Sequence, residues 1–156
     1  MIQAGQEFAR TKVIPYNPNS LDKHSGMIDH NSYEKDNETN YINYDHAKLN
    51  NELLNYYKGL IELRNKYDAF RRAEFEDVTF YDIKDNPFAI GYGLEYKDDL
   101  FIVLFNANPT SKEEFILPAG EWDIFVNEDS AGTKSLGIVK KKIKLNPSTG
   151  CVLKKK

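Results

Sequence analysis

The sequence predicts a mainly β fold with one long helix, in which a polar leader and an amphipathic helix precede an antiparallel sandwich. Three observations carry that expectation. Residues 46–71, HAKLNNELLNYYKGLIELRNKYDAFR, form the only long stretch with helical apolar spacing. Residues 76–156 alternate with a period of two between turn signals, as strands with opposite faces do. Residues 10–44 are rich in Asn, Asp, Ser, Lys and Pro and hold few aliphatics.

In the leader, a structureless run of this length inside a compact domain is uncommon. It is either a functional loop held by other structure or a segment disordered without it. The helix follows, with Leu49, Leu53, Tyr56, Tyr57, Leu60, Leu63 and Tyr67 along one stripe. Asn50, Asn51, Glu52, Asn55 and Lys58 fall on the other side. Asp45 is the expected N-cap, its carboxylate accepting first-turn amides. Gly59 costs about 1 kcal/mol relative to alanine in a helix interior, which implies a close backbone contact there.

Beyond the helix, strands are expected at 78–83, 88–96, 100–106, 114–117, 121–126, 135–139, 141–145 and 151–153. The turn signals between them include Lys97-Asp98-Asp99, Pro118-Ala119-Gly120 and Asn146-Pro147. The continuous apolar run FIVLF at 101–105 fits a central strand buried on both faces. Short strands at this spacing indicate an antiparallel sandwich. Trp122, in step with Ile124 and Val126, is expected in its core rather than stacked on a sugar.

Composition excludes several functions. A net charge of −3 over 156 residues gives no basic field for nucleic acid. The lone Cys151 rules out an internal disulfide framework and fits a buried thiol in a reducing compartment. No apolar run reaches membrane-spanning length and no signal peptide opens the chain, so no membrane partner is expected. A cytoplasmic location fits, while export encoded on a longer parent chain stays open. His24, Asp29 and His30 lack the spacing of a metal site, and neither a phosphate-cradling glycine loop nor a nucleophile elbow occurs. No metal and no cofactor are therefore expected.

Four stretches resemble a known family. Gln3-Ala-Gly-Gln-Glu-Phe8 with Arg10-Thr11-Lys12 resembles the last barrel strand and following loop of type I pullulanases, starch-debranching enzymes of the α-amylase superfamily. Asn31-Ser32-Tyr33, then Asp36, then Asn40-Tyr41-Ile42-Asn43-Tyr44, is similar to that group's Asn-Ser-Tyr loop, spaced Asp, and Asn before Ile-Asp-Trp. Tyr57 to Arg64 with Phe70-Arg71 resembles the final barrel helix, and residues 143–153 resemble the closing strands of the C-terminal sandwich. The sequence departs from the pattern at Asn43 and Tyr44, where Asp and Trp are usual, and in an enlarged loop over 13–29.

The resemblance implies a partial last β/α unit of a TIM barrel over 1–75 and a C-terminal antiparallel β-sandwich over 76–156. It implies a parent enzyme that hydrolyses α-1,6-glucosidic bonds of pullulan, glycogen or starch with retention. That chemistry needs two carboxyl groups about 5–5.5 Å apart, and in this superfamily they come from earlier barrel strands. A whole barrel takes about 250 residues. The chain is thus expected to be a C-terminal fragment without catalytic residues, inactive alone. Asn31, Tyr33, Asp36 and Asn40 would lie near bound glucan, with Glu7 as an orienting residue. The plainer alternative is that these side chains only knit the loop to itself through local turns. The implied partners are α-glucan and the missing barrel domain, and the apolar stripe, too long for one neighbour, predicts a homodimer.

A non-catalytic carbohydrate-binding or interaction module is the second reading, and it would display tyrosines or Trp122 flat on one sheet face. A neopullulanase or isoamylase relative with another linkage preference is a third.

Overall fold

The computed structural model describes residues 2–81, 83 and 86–156. Asp82 of the first expected strand, and Lys84 and Asp85 of the turn after it, lie outside the described residues. The chain forms two compact units, Met1–Asn55 and Tyr56–Lys156.

The first unit is built from turns. A 3-10 turn at Gln6–Phe8 is flanked by Gly5 (φ 87°) and Ala9 (φ 52°), both left-handed. The Arg10 amide closes back on the Gly5 carbonyl at 2.9 Å. An isolated bridge between Val13 and Ile28 folds the enlarged loop onto itself, supported by Ile14 N–H on Met27 O at 3.0 Å and Asp29 N–H on Lys12 O at 2.8 Å. A second 3-10 turn, Glu38–Asn40, is capped by Asn37, whose side chain accepts the Thr39 amide.

The helical pattern over 46–71 resolves into three pieces rather than one. They are α1 (Asp45–Leu49), α2 (Asn51–Lys66) and α3 (Ala69–Arg72). Asn50, at φ −108° and ψ 40°, interrupts the first join, and its Nδ2 donates to Phe8 O at 2.9 Å. A side-chain amide that bonds backbone elsewhere competes with helix continuity, which explains the break. Asp45 is not the N-cap. Tyr44 holds that position without a side-chain bond, and Asp45 sits in the first turn, its carboxylate paired with Lys48 at 2.8 Å. At the other end Asp68 precedes α3 and collects Arg71, Arg72 and Lys97.

The second unit is mainly β and antiparallel. Among the described residues its eight strands are β1 (Val78–Phe80), β2 (Ala89–Tyr96), β3 (Asp99–Asn106), β4 (Glu113–Ile116), β5 (Trp122–Val126), β6 (Ile138–Val139), β7 (Lys142–Leu145) and β8 (Thr149–Lys155). Six form one sheet in the order β1-β2-β3-β8-β5-β6, and β4 pairs with β7 in a second. The apolar run of β3 lies between β2 and β8, with Phe101, Ile102, Val103 and Leu104 all buried. Alternation divides Phe101 from Ile102 and Leu104 between two cores. Ile102 and Leu104 join Trp122, Cys151 and Leu153, with Phe115 and Leu145 of the small sheet, in one cluster. Phe101 joins Leu63, Ala69, Leu94, Phe125 and Val126 in the other. Two sheets sharing one core is an arrangement compatible with a β-sandwich.

Trp122 is fully buried, as expected, with Nε1 donating to Pro118 O at 3.1 Å. Val126 does not share its face. An irregularity between Ile124 and Val126 shifts the β5–β8 register, so Ile124 stays beside Trp122 while Val126 turns to the helical side. One residue of slip exchanges the faces.

The helical side is closed by Tyr56, Leu60, Leu63 and Tyr67 of the apolar stripe. Gly59 is the close approach its position implied: a Cβ there would lie 1.9 Å from Ala131 O. On either side of it Tyr56 Oη donates to Asn127 O at 2.8 Å and Thr133 Oγ1 donates to Glu62 Oε1 at 2.6 Å.

Candidate functional site

The residues singled out by sequence fall in the first unit, most of them in one closed loop over 29–40. Asp29 opens it. Its Oδ1 accepts the Asn31 amide at 2.9 Å, and its other oxygen pairs with Lys35. The Lys35 ammonium, and after it the Asn31 amide, hold the Asp29 carboxyl below the usual aspartate range. The loop is closed from the far end by Asn40. Asn40 Oδ1 accepts from Ser32 Oγ at 2.8 Å, while its Nδ2 donates to Ser32 O at 2.6 Å and to Lys35 O. Ser32 and Thr39 are buried beneath these contacts.

The outward residues differ. Asn31 and Asp36 are exposed, and Tyr33 is 77% exposed. Tyr33 Oη donates to Glu34 Oε1 at 2.6 Å. That bond to a carboxylate favours the neutral phenol, so its pKa lies above the ordinary value. The loop therefore presents an amide, a carboxylate and a tyrosine ring to solvent while the Asn40 amide is turned inward. Glu7 is half-buried within the 3-10 turn Gln6–Phe8, and its carboxylate has no hydrogen bond among the described residues.

Sequence reasoning missed Ser32, Lys35 and Asp29 as the residues that close this loop. The available signal was the Asn-Ser-Tyr triplet itself, in which a small hydroxyl sits between two larger polar residues, with Asn40 eight positions on. In the sequence Asp29 stands out only beside His24 and His30; among the described residues no group of three His, Cys, Asp or Glu side chains is close enough to hold an ion. Among the described residues, too, no helix is long and apolar enough to cross a membrane.

Tyrosine exposure is unevenly distributed, whereas the exposed phenylalanines Phe75, Phe80, Phe88 and Phe105 lie in the second unit. The exposed tyrosines, Tyr16, Tyr33, Tyr41 and Tyr44, all precede α2. Those of the second unit, Tyr56, Tyr57, Tyr67, Tyr81, Tyr92 and Tyr96, are half-buried.

No known family's sequence profile matches the chain. Solved structures do. The fold is similar to a pullulanase from Bacillus acidopullulyticus, with TM-score 0.76 and 25% identity over 98% of this chain and 18% of that one. It is similar to a pullulanase from Anoxybacillus sp. LM18-11 complexed with maltotetraose, with TM-score 0.73 and 26% identity over 98% of this chain and 20% of that one. A type I pullulanase from Bacillus subtilis str. 168 complexed with maltose shares the fold, with TM-score 0.71 and 24% identity over 96% of this chain and 20% of that one. The chain thus spans about a fifth of the length of these pullulanases. The likeness to the C-terminal part of a type I pullulanase extends over nearly all of it.

Proposed function

We propose that this chain is the C-terminal portion of a pullulanase-type debranching enzyme. Residues 1–75 would be the last β/α unit of its barrel and residues 76–156 its C-terminal sandwich. The parent, on this reading, hydrolyses α-1,6-glucosidic bonds in pullulan, glycogen or starch with retention, and the chain alone is inactive. The observation that supports it most is the extent of the likeness to pullulanase structures, which covers 98% of this chain at 25% and 26% identity in two of them. The exposed Asn31, Tyr33 and Asp36 support a glucan-facing loop, because amides and carboxylates bond paired hydroxyls and a tyrosine ring covers the apolar face of a pyranose.

A standalone carbohydrate-binding module requires aromatic rings on a sheet face. The burial of Trp122 and the half-buried tyrosines of the second unit speak against that reading, and the exposed rings its strands carry are Phe80 of β1 and Phe105 of β3. The stripe residues Leu49 and Leu53 are exposed; we assign them to the missing barrel domain first and to a second copy of the chain as the alternative. Size-exclusion chromatography with light scattering decides the latter, since a strict monomer excludes the homodimer.

The glucan reading is tested by titrating the isotope-labelled chain with maltotetraose and following amide shifts. Saturable shifts centred on residues 31–36 support it. Shifts confined to the sheet, or none at millimolar sugar, would reject it.

A further inference from the structure

The loop that carries Tyr33 and Asp36 is held by an internal brace, and that brace gives separate jobs to residues the sequence groups together. Asn40 has both amide functions engaged within the loop: its oxygen takes the Ser32 hydroxyl at 2.8 Å, and its nitrogen donates to the carbonyls of Ser32 and Lys35. Reciprocal bonding of this kind fixes which end of the amide is which. Ser32 is 3% exposed, so its hydroxyl is withdrawn from any ligand arriving from solvent. Lys35, whose carbonyl Asn40 holds, also donates its amide to Ser32 O at 3.1 Å and pairs through its ammonium with Asp29. The Asp29 amide is tied in turn to Lys12 O at 2.8 Å. Tyr33 stands inside this frame and is 77% exposed.

We propose that Ser32 and Asn40 are positioning residues of the sugar-facing loop: they and the Asp29–Lys35 pair fix the backbone of residues 31–36, and Tyr33 and Asp36 make the contact. The inference rests on the glucan reading and deepens it, because Asn40 then acts through the loop rather than by touching sugar. Loop ordering is part of binding. A ligand meeting a preformed loop escapes the ordering cost that a loose loop imposes.

The test compares the full chain with Ser32→Ala, Asn40→Ala, the double variant and Tyr33→Ala. Two quantities are read: affinity for maltotetraose, and hydrogen exchange at the Lys35 amide. Ser32→Ala and Asn40→Ala should each speed Lys35 exchange and weaken maltotetraose binding, both by about tenfold. The double variant should cost little more than Asn40→Ala alone, since that substitution already removes the one contact that Ser32→Ala removes. Tyr33→Ala should weaken binding and leave Lys35 exchange as it was. Near-ultraviolet dichroism from buried Trp122 reports in each variant that the sheet stays folded.

A Ser32→Ala or Asn40→Ala chain that loses affinity with unchanged exchange would show direct contact and overturn the proposal. Faster exchange with undiminished affinity would overturn it equally, while the glucan reading stood. Absence of saturable binding by the unsubstituted chain would remove the glucan reading, and the positioning role with it.

Discussion

Gly59→Ala is the substitution in which helix propensity and packing oppose each other most sharply. Alanine is the better helix former by about 1 kcal/mol, so in a free helix the change stabilises. Here the new methyl carbon would lie 1.9 Å from Ala131 O and 2.4 Å from Ala131 C. Both are backbone atoms of a loop anchored on either side of the contact, at Asn127 by Tyr56 and at Thr133 by Glu62. No flexible side chain can swing away, and α2 must lift from the loop. Overpacking of a tight contact costs about 1–3 kcal/mol, and a backbone obstacle belongs at the upper end. Subtracting the propensity gain leaves a net loss of about 2 kcal/mol, or roughly 4–8 °C in Tm for a chain of this size. Urea unfolding of the full chain measures it, with Gly132→Ala as the control. An added Cβ at Gly132 meets nothing within 4 Å, so that variant should stay within about 0.5 kcal/mol of the parent. A Gly59→Ala chain as stable as the parent, or more so, would refute the reasoning.

Burial pushes the Cys151 thiol up to about 12; iodoacetamide at pH 8 should therefore label it only as fast as the sheet opens, and rapid labelling seen by mass spectrometry would contradict its burial. The Asp29 carboxyl lies below its ordinary value of 3.8, so its pair with Lys35 adds stability above that pH and loses it as pH falls through the depressed value. A carboxyl-carbon titration by NMR should place the Asp29 midpoint under 3.8, and a midpoint at or above it would dissolve the pair. Trp122→Ala should cost about 3–5 kcal/mol in urea unfolding, against less than about 0.5 kcal/mol for Leu49→Ala, whose side chain is exposed. The isolated chain should release no reducing sugar from pullulan, and measurable release would contradict its proposed lack of catalytic carboxylates.

The strands were legible because their period is local: alternation needs only near neighbours, and the expected segments match β1–β8 to within a few residues at each end. What local pattern cannot carry is pairing. Nothing in the sequence says that β8 inserts between β3 and β5, and the shift that turns Val126 from the Trp122 face depends on that partner. The same limit explains the helix. Its apolar spacing runs unbroken across Asn50, yet the bond that interrupts it reaches Phe8, 42 positions away. Gly59 was readable as an anomaly, since a glycine inside a helix implies a contact, but the contact itself lies on the 127–133 loop. In the candidate site, residue types pointed to polar recognition. The division between exposed Asn31, Tyr33 and Asp36 and the inward Asn40 depends on hydrogen bonds that spacing alone does not fix.

The genomic DNA immediately upstream of the Met1 codon tests the proposed origin of the chain most directly. An in-frame continuation encoding a barrel, with its Asp, Glu and Asp, is the expected result, and it would join this C-terminal portion to the catalytic groups it needs. A stop codon followed by a ribosome-binding site just before Met1 would contradict it, and would make the chain a free-standing protein whose function lies in binding.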